Sequence, residues 1–159
     1  MNARWLALTL LTLAAFPSEP RNASDPTLAV IVHKSNSIDN LSLVQLRKIL
    51  LGEVRQFPDH RKLVLAQREP ESDVYRRTLL RVLRMTPAEY KRYLLGVEFR
   101  GGEALTVKTL NSDDTAAKFV FNVPTAIAVI DAVPAGSAAS RVKIVRIEGK
   151  LPGEPGYEL

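Results

Sequence analysis

The stretch "LAQREPESDVYRRTLL", Leu65–Leu80, decides how this chain is read. It opens on the end of an apolar run. Arg68 to Ser72 then form a polar turn containing Pro70, and helical spacing begins at Asp73. A strand, a sharp turn and a helix start in succession make the unit from which α/β domains are built. Ser72 stands where the helix N-cap belongs. The N–H groups of Asp73, Val74 and Tyr75 would point out of the helix start, with the positive end of its dipole behind them. Arg68, just past the strand end, adds a two-pronged donor suited to a tetrahedral anion. In an open α/β sheet, ligands bind beyond the carboxyl ends of strands. Glu69, Glu71 and Asp73 are interleaved with these donors, and they oppose an anion. Two readings therefore stand side by side. In one, Arg68, Ser72 and the amides of Asp73 and Val74 hold a small oxyanion. In the other, Ser72 only caps its helix and Arg68 pairs with Glu69 or Glu71.

Upstream, "LAVIVHK", Leu28–Lys34, is short, apolar and rich in β-branched residues, as a buried strand is. "LSLVQLRKILLG" follows. Ser42 and Gln45 have capping-box spacing, and Leu41 can staple to Leu46. Leu43, Leu46, Ile49 and Leu50 share one helix face. Gly52 is placed to end that helix. Lys62–Gln67 is the second strand, leading into the opening turn. The helix after it runs from Asp73 to Arg84, with Tyr75, Leu79, Val82 and Leu83 on one face. "MTPAEYKRYLLG" starts another helix, with Thr86 as cap, Pro87 at the first position and Glu89 closing a capping box. "EFRGGEA" breaks it.

Downstream, Leu105–Leu110 reads as a strand, "NSDDTAAKFVFNVP" as a short helix, Ala126–Ala132 as a strand and Arg141–Gly149 as a half-exposed strand. Strands alternate with helices throughout. The expected fold is α/β: a single three-layer domain with a mixed, mostly parallel sheet of about five strands, covered by helices on both faces. The last segment, 150–159, is a Pro/Gly-rich tail.

The 159 residues suffice for one domain, and 46% hydrophobic with 25% charged residues excludes a disordered chain. Before the first strand, Arg4 precedes an apolar run, Trp5–Ala15, and a polar stretch rich in Pro and Ser. That order is a secretory signal, expected over 1–24 with a loosely defined cleavage site, leaving a domain over 25–149. The run is shorter than the roughly 20 residues needed to span a bilayer. The sequence has no cysteine, which excludes disulfides, thiol catalysis and a lipid-anchored N-terminus. The expected location is the periplasm, as a soluble exported protein.

Enzyme chemistry finds no foothold. The two histidines, His33 and His60, form no metal-ligand spacing, so no metal is expected. No serine stands in a nucleophile elbow and no glycine-rich nucleotide loop occurs, so no catalytic residue or cofactor is expected. The net charge of +5 suits acidic partners without choosing among them. Arg77, Arg81 and Arg84 recur at i, i+4 and i+7 beside Arg76, Lys91 and Arg92. This basic helix region reads either as a nucleic-acid or anionic-surface patch or as a solvated face, and the solvated face is the expectation. No nucleic acid is expected, since aromatic interleaving is slight and an exported protein rarely meets it.

The order "LAVIVHKSN", "LSLVQLRKILLGEVRQFPD", "LVLAQREPESDVYRRTLL", "VPTAIAVIDA" resembles bacterial phosphate ABC-transporter substrate-binding proteins, of the type 2 periplasmic binding protein class. The resemblance covers Leu28–Ala132 and includes the "L..LRKI.LG" helix and the Phe57-Pro58-Asp59 turn. It implies a periplasmic binding protein type 2-like lobe, phosphate or another small oxyanion as ligand, and a membrane permease as partner. On the family frame Arg68 and Ser72 match the ligand-binding arginine and serine. Pro70 replaces an acid, and Glu71, Asp73 and Val74 replace Gly, Gly and Thr. The later "AIGYV" strand is here "AIAVI". The resemblance also implies that the chain begins at the crossing into the second of two lobes, so half of the clamp's donors are not expected. The alternative function is an envelope interaction module with a vestigial pocket, docking through Val74–Arg84 and Pro87–Leu95.

Overall fold

The computed structural model describes residues 27–100, 105–131 and 142–159. The expected leader over 1–24, the helix break at 101–104 and the loop over 132–141 lie outside the described residues. Six strands form one sheet: β1 Leu28–His33, β2 Asn40–Leu41, β3 Val64–Arg68, β4 Val107–Leu110, β5 Ala126–Asp131 and β6 Val142–Ile147, in the order β2-β6-β1-β5-β3-β4. The pairs β3–β4, β3–β5 and β2–β6 are parallel, whereas β1 runs antiparallel to both β5 and β6. The sheet is thus mixed and mostly parallel, as expected. It has one strand more than expected, because β2 is only two residues long and has no alternation for a sequence reader to find.

Helices cover both faces. On one lie α1 Leu43–Leu50, α2 Asp73–Thr78 with its π-helical continuation Leu79–Leu83, and α3 Pro87–Phe99; on the other lies α4 Asp113–Asn122. From Leu28 to Val32 β1 is apolar, as suits a central strand with both faces buried. Leu28, Val30 and Val32 meet the Leu-rich α1 and π segment, while Ala29 and Ile31 face α4. The α4 side is built of small residues. Ala66, Ala126 and Ala128 of the sheet meet Ala116 and Ala117 of the helix, so α4 can pack close to the sheet.

The caps form where the sequence places them. Ser42 accepts from the Gln45 amide, Thr86 from Glu89 and Ser112 from Thr115, each in a reciprocal capping box. Gly52, at φ +71°, occupies the left-handed conformation that ends α1. The final residues fold back onto the sheet. Tyr157 and Leu159 are buried, and the Tyr157 hydroxyl donates to the Leu28 carbonyl at 2.8 Å.

This topology brings two charged strand ends together. β3 and β5 are parallel neighbours, so Arg68 and Asp131, the last residue of each, lie at the same sheet edge. α2 starts shortly after β3, and α4 starts shortly after β4, at that edge too.

Candidate functional site

Arg68 is the last residue of β3, and its side chain is only 14% exposed. Neither Glu69 nor Glu71 pairs with it, contrary to the second reading of the turn. Its Nη1 donates instead to Oδ1 of Asp113, in the first turn of α4, and its Nη2 to the Asn111 carbonyl at 2.8 Å. The physical reason is direction. Residues 69–71 lead away into an exposed turn, whereas β4 lies beside β3 with Leu110 in register with Arg68 and delivers the α4 start to the guanidinium. The Nε of Arg68 is buried and has no partner among the described residues.

Ser72 is the α2 N-cap. Its Oγ accepts from the Tyr75 amide at 3.2 Å and donates to the Glu69 carbonyl at 2.7 Å, closing the turn. The hydroxyl proton is therefore committed to the turn. Asp73 and Val74 fill the first two helical positions, and their amides meet no acceptor among the described residues. The Val74 side chain is buried in the core, so only its amide faces the edge.

Three residues join this site that the turn sequence does not reveal. Asp113 Oδ2 accepts from the Asp131 amide at 3.2 Å, tying the α4 start to the end of β5. Asp131 Oδ1 accepts from Arg77 Nη2 at 2.6 Å, and Asp73 Oδ2 accepts from Arg77 Nε at 2.6 Å. Arg77 is 13% exposed, so it belongs to the edge and not to the basic helix face with Arg81 and Arg84. Its pKa lies above the ordinary guanidinium value. Burial opposes the charge, and hydrogen bonds to Asp131 and Asp73 outweigh that cost.

The result is a continuous chain of contacts, Asp73–Arg77–Asp131–Asp113–Arg68, across the carboxyl edge of the sheet. Two guanidinium groups face three carboxylates. The Asp113 carboxylate takes the arginine that the sequence assigns to an external anion. A mostly apolar cavity between β3 and α2, lined by Leu50, Leu65, Arg68, Val74, Tyr75 and Leu79, measures about 20 Å³, the volume of about one water. A cavity of that size has no room for a tetrahedral oxyanion. No group of three or more His, Cys, Asp or Glu side chains among the described residues could hold a metal ion. No helix among them is long and apolar enough to cross a membrane.

No protein-family model matches the chain, and no curated protein matches it by sequence. Solved structures do match by fold. The PstS protein of Borrelia burgdorferi aligns with a TM-score of 0.64 at 17% identity, over 80% of this chain and 49% of its own. An ABC-type phosphate transport receptor from Vibrio cholerae aligns at 0.55 and 20% identity, over 80% of this chain and 48% of its own. A Clostridium perfringens phosphate ABC transporter substrate-binding protein, described as putative and solved with bound phosphate, aligns at 0.52 and 19%, over 78% and 46%. The chain spans about half the length of each. Its mixed six-stranded α/β fold is similar to about half of each of these structures.

Proposed function

We propose that this chain is an exported solute-binding lobe that takes a small oxyanion, phosphate foremost, at the edge holding Arg68, Ser72, Asp73 and Val74. The ligand competes there with the protein's own Asp113 carboxylate. The observation that carries the reading is the Arg68–Asp113 pair: an arginine at a strand's carboxyl end already grips an oxygen anion. The open amides of Asp73 and Val74 supply further donors. Ser72 contributes by holding the turn in shape. The solved structures of like fold carry phosphate-binding names, which raises phosphate above other oxyanions. Binding is non-covalent, with no cofactor and no catalytic residue. The protein would act in the periplasm, after loss of residues 1–24, handing ligand to a membrane permease or reporting its concentration.

The affinity of this lobe alone is low. An incoming anion must displace Asp113 and face Glu69, Glu71 and Asp73 nearby. A like charge at ~6 Å costs roughly 2–3 kcal/mol at an effective dielectric near 20. Calorimetric titration of phosphate and sulfate into residues 25–159, repeated with Arg68→Ala, tests the reading. Millimolar binding that disappears with Arg68 supports it. Binding indifferent to Arg68 sinks it.

One observation favours a second reading. Arg68 and Arg77 are each neutralised by aspartates of the same chain. On this reading the lobe is an envelope interaction module and its pocket is out of use. Absence of oxyanion binding in the parent and in an Asp113→Asn variant alike selects it.

A further inference from the structure

Helix α3 carries more than its packing needs. Tyr90 is its one fully buried residue, and Tyr93, Leu94 and Val97 are half-buried. The opposite side holds Ala88, Lys91, Arg92, Leu95 and Phe99, at i, i+3, i+4, i+7 and i+11, which is one continuous stripe. Leu95 is 44% exposed and Phe99 89% exposed. Single apolar residues on a surface need no explanation. Two on one stripe, interleaved with cations, have the make-up of a helix that lies in a membrane interface.

A second feature lies on the flank of that stripe. Arg92, Gly96 and Arg100 follow at four-residue spacing. Together with Glu89 and Tyr93 they line an open hollow of about 270 Å³. Gly96 lines it without a side chain. A Cβ at that position would stand 3.4 Å from the Arg100 Nη1, so the guanidinium lies folded over the glycine. The one acid in the hollow, Glu89, accepts from the Thr86 amide at 2.7 Å and the Thr86 hydroxyl at 2.9 Å and also feels the charge of Arg92, so a phosphate there competes with it for that arginine. Two guanidinium groups facing a hollow of this size suit a phosphodiester.

We propose that the outer face of α3 docks on an anionic phospholipid surface. A headgroup phosphate seats between Arg92 and Arg100, while Leu95 and Phe99 enter the acyl boundary beside it. The charge of the stripe complements an anionic leaflet, with Lys91 adding to the two arginines. Nucleic acid or an acidic protein surface would satisfy the cations but leave Leu95 and Phe99 without an apolar partner. The 13-residue helix is about 20 Å long, so it lies in the interface plane and does not span it. This inference does not depend on the oxyanion edge, which is formed by different elements.

The test is co-sedimentation with vesicles of phosphatidylcholine, with and without phosphatidylglycerol, at low and high salt. Residues 25–159 contain every strand and both cores, so that form is compared with the full chain to separate the contribution of the leader. Binding is expected only with phosphatidylglycerol and only at low to moderate salt. Arg92→Ala with Arg100→Ala should lower the partition about 30-fold, and Leu95→Ser with Phe99→Ser about tenfold or more. Arg92→Lys with Arg100→Lys should keep the salt-sensitive attraction yet bind more weakly than the parent and more tightly than the double alanine variant, because an ammonium lacks the two-pronged grip on phosphate. Circular dichroism confirms that these exposed variants fold. Equal binding to neutral vesicles, no binding at low salt, or indifference to the double alanine change overturns the proposal. Salt-sensitive binding that survives Leu95→Ser with Phe99→Ser also overturns it, assigning the face to another polyanion.

Discussion

Replacing Asp113 by Asn should make this protein bind oxyanions better while making it less stable. The substitution keeps the shape and an acceptor for the Asp131 amide, and it removes the negative charge that occupies Arg68. Two unit charges 4 Å apart interact by about 4 kcal/mol at an effective dielectric near 20. Asp113 is 27% exposed, so solvent screening leaves roughly 1.5–3 kcal/mol of relief for an anion bound to Arg68. That corresponds to a roughly ten- to hundredfold gain in affinity. The same change breaks an ion pair intermediate between buried and exposed, and should lower stability by about 1–2 kcal/mol. Calorimetric titration of phosphate and sulfate reads the first effect, and urea denaturation reads the second. An Asp113→Asn protein that is folded but binds no tighter than the parent would refute the idea that Asp113 is an internal competitor. Opposite movement of affinity and stability is the specific signature, because a general loosening of the fold would lower both.

Other consequences follow from the same geometry. Tyr90 is buried, donates to the Leu50 carbonyl at 2.6 Å and accepts from Gln67, and burial pushes its pKa up to about 12. Because the folded value exceeds the unfolded value near 10, the stability it confers is complete below pH 10 and is lost as pH rises toward 12. Urea denaturation should show roughly 2–3 kcal/mol lost across that window; an unchanged slope in Tyr90→Phe would contradict this origin. Deleting 151–159 uncovers the sites of Tyr157 and Leu159 and leaves the Leu28 carbonyl without its hydroxyl donor. A loss of about 3–5 kcal/mol is expected by thermal melting; melting within a degree or two of the parent would argue against it. Arg77→Ala leaves Asp131 without its arginine and Asp73 with only the longer Arg76 contact at 4.0 Å. It should cost about 2–3 kcal/mol, whereas Arg84→Ala, at an exposed position, should cost less than about 1 kcal/mol; equal effects would place Arg77 on the solvated face after all.

Much of the fold was legible because it is written in local signals. The apolar run at Leu28–Val32, the capping boxes at Ser42 and Thr86, and the strand–turn–helix at Leu65–Leu80 each need only a few neighbouring residues to be read. β2 escaped because two residues carry no period. The turn itself was also legible: Arg68 ends its strand and Ser72 caps its helix. The partners of Arg68 were not. Asp113 is 45 residues away, in a "SDD" run whose natural reading is a helix start, and only the pairing of β3 with β4 brings it to the guanidinium. The strand order also turns Arg77 inward, since Asp131 ends the neighbouring strand β5. An i, i+4, i+7 spacing on one helix cannot say which arginine meets a carboxylate from elsewhere. The acids visible in the turn, Glu69 and Glu71, drew attention because they are adjacent in sequence, yet the competing charge comes from across the sheet.

The central claim is that the edge where Arg68, Asp73 and Val74 meet is an oxyanion site held shut by Asp113. The most direct measurement is a phosphate titration of isotopically labelled Asp113→Asn protein, followed by nuclear magnetic resonance. Saturable shifts are expected at the Asp73 and Val74 amides and at the Arg68 Nε–H, and the two amide shifts should vanish when Arg68 is also changed to Ala. Saturation without movement of those three signals, or amide movement that persists without Arg68, would contradict the claim.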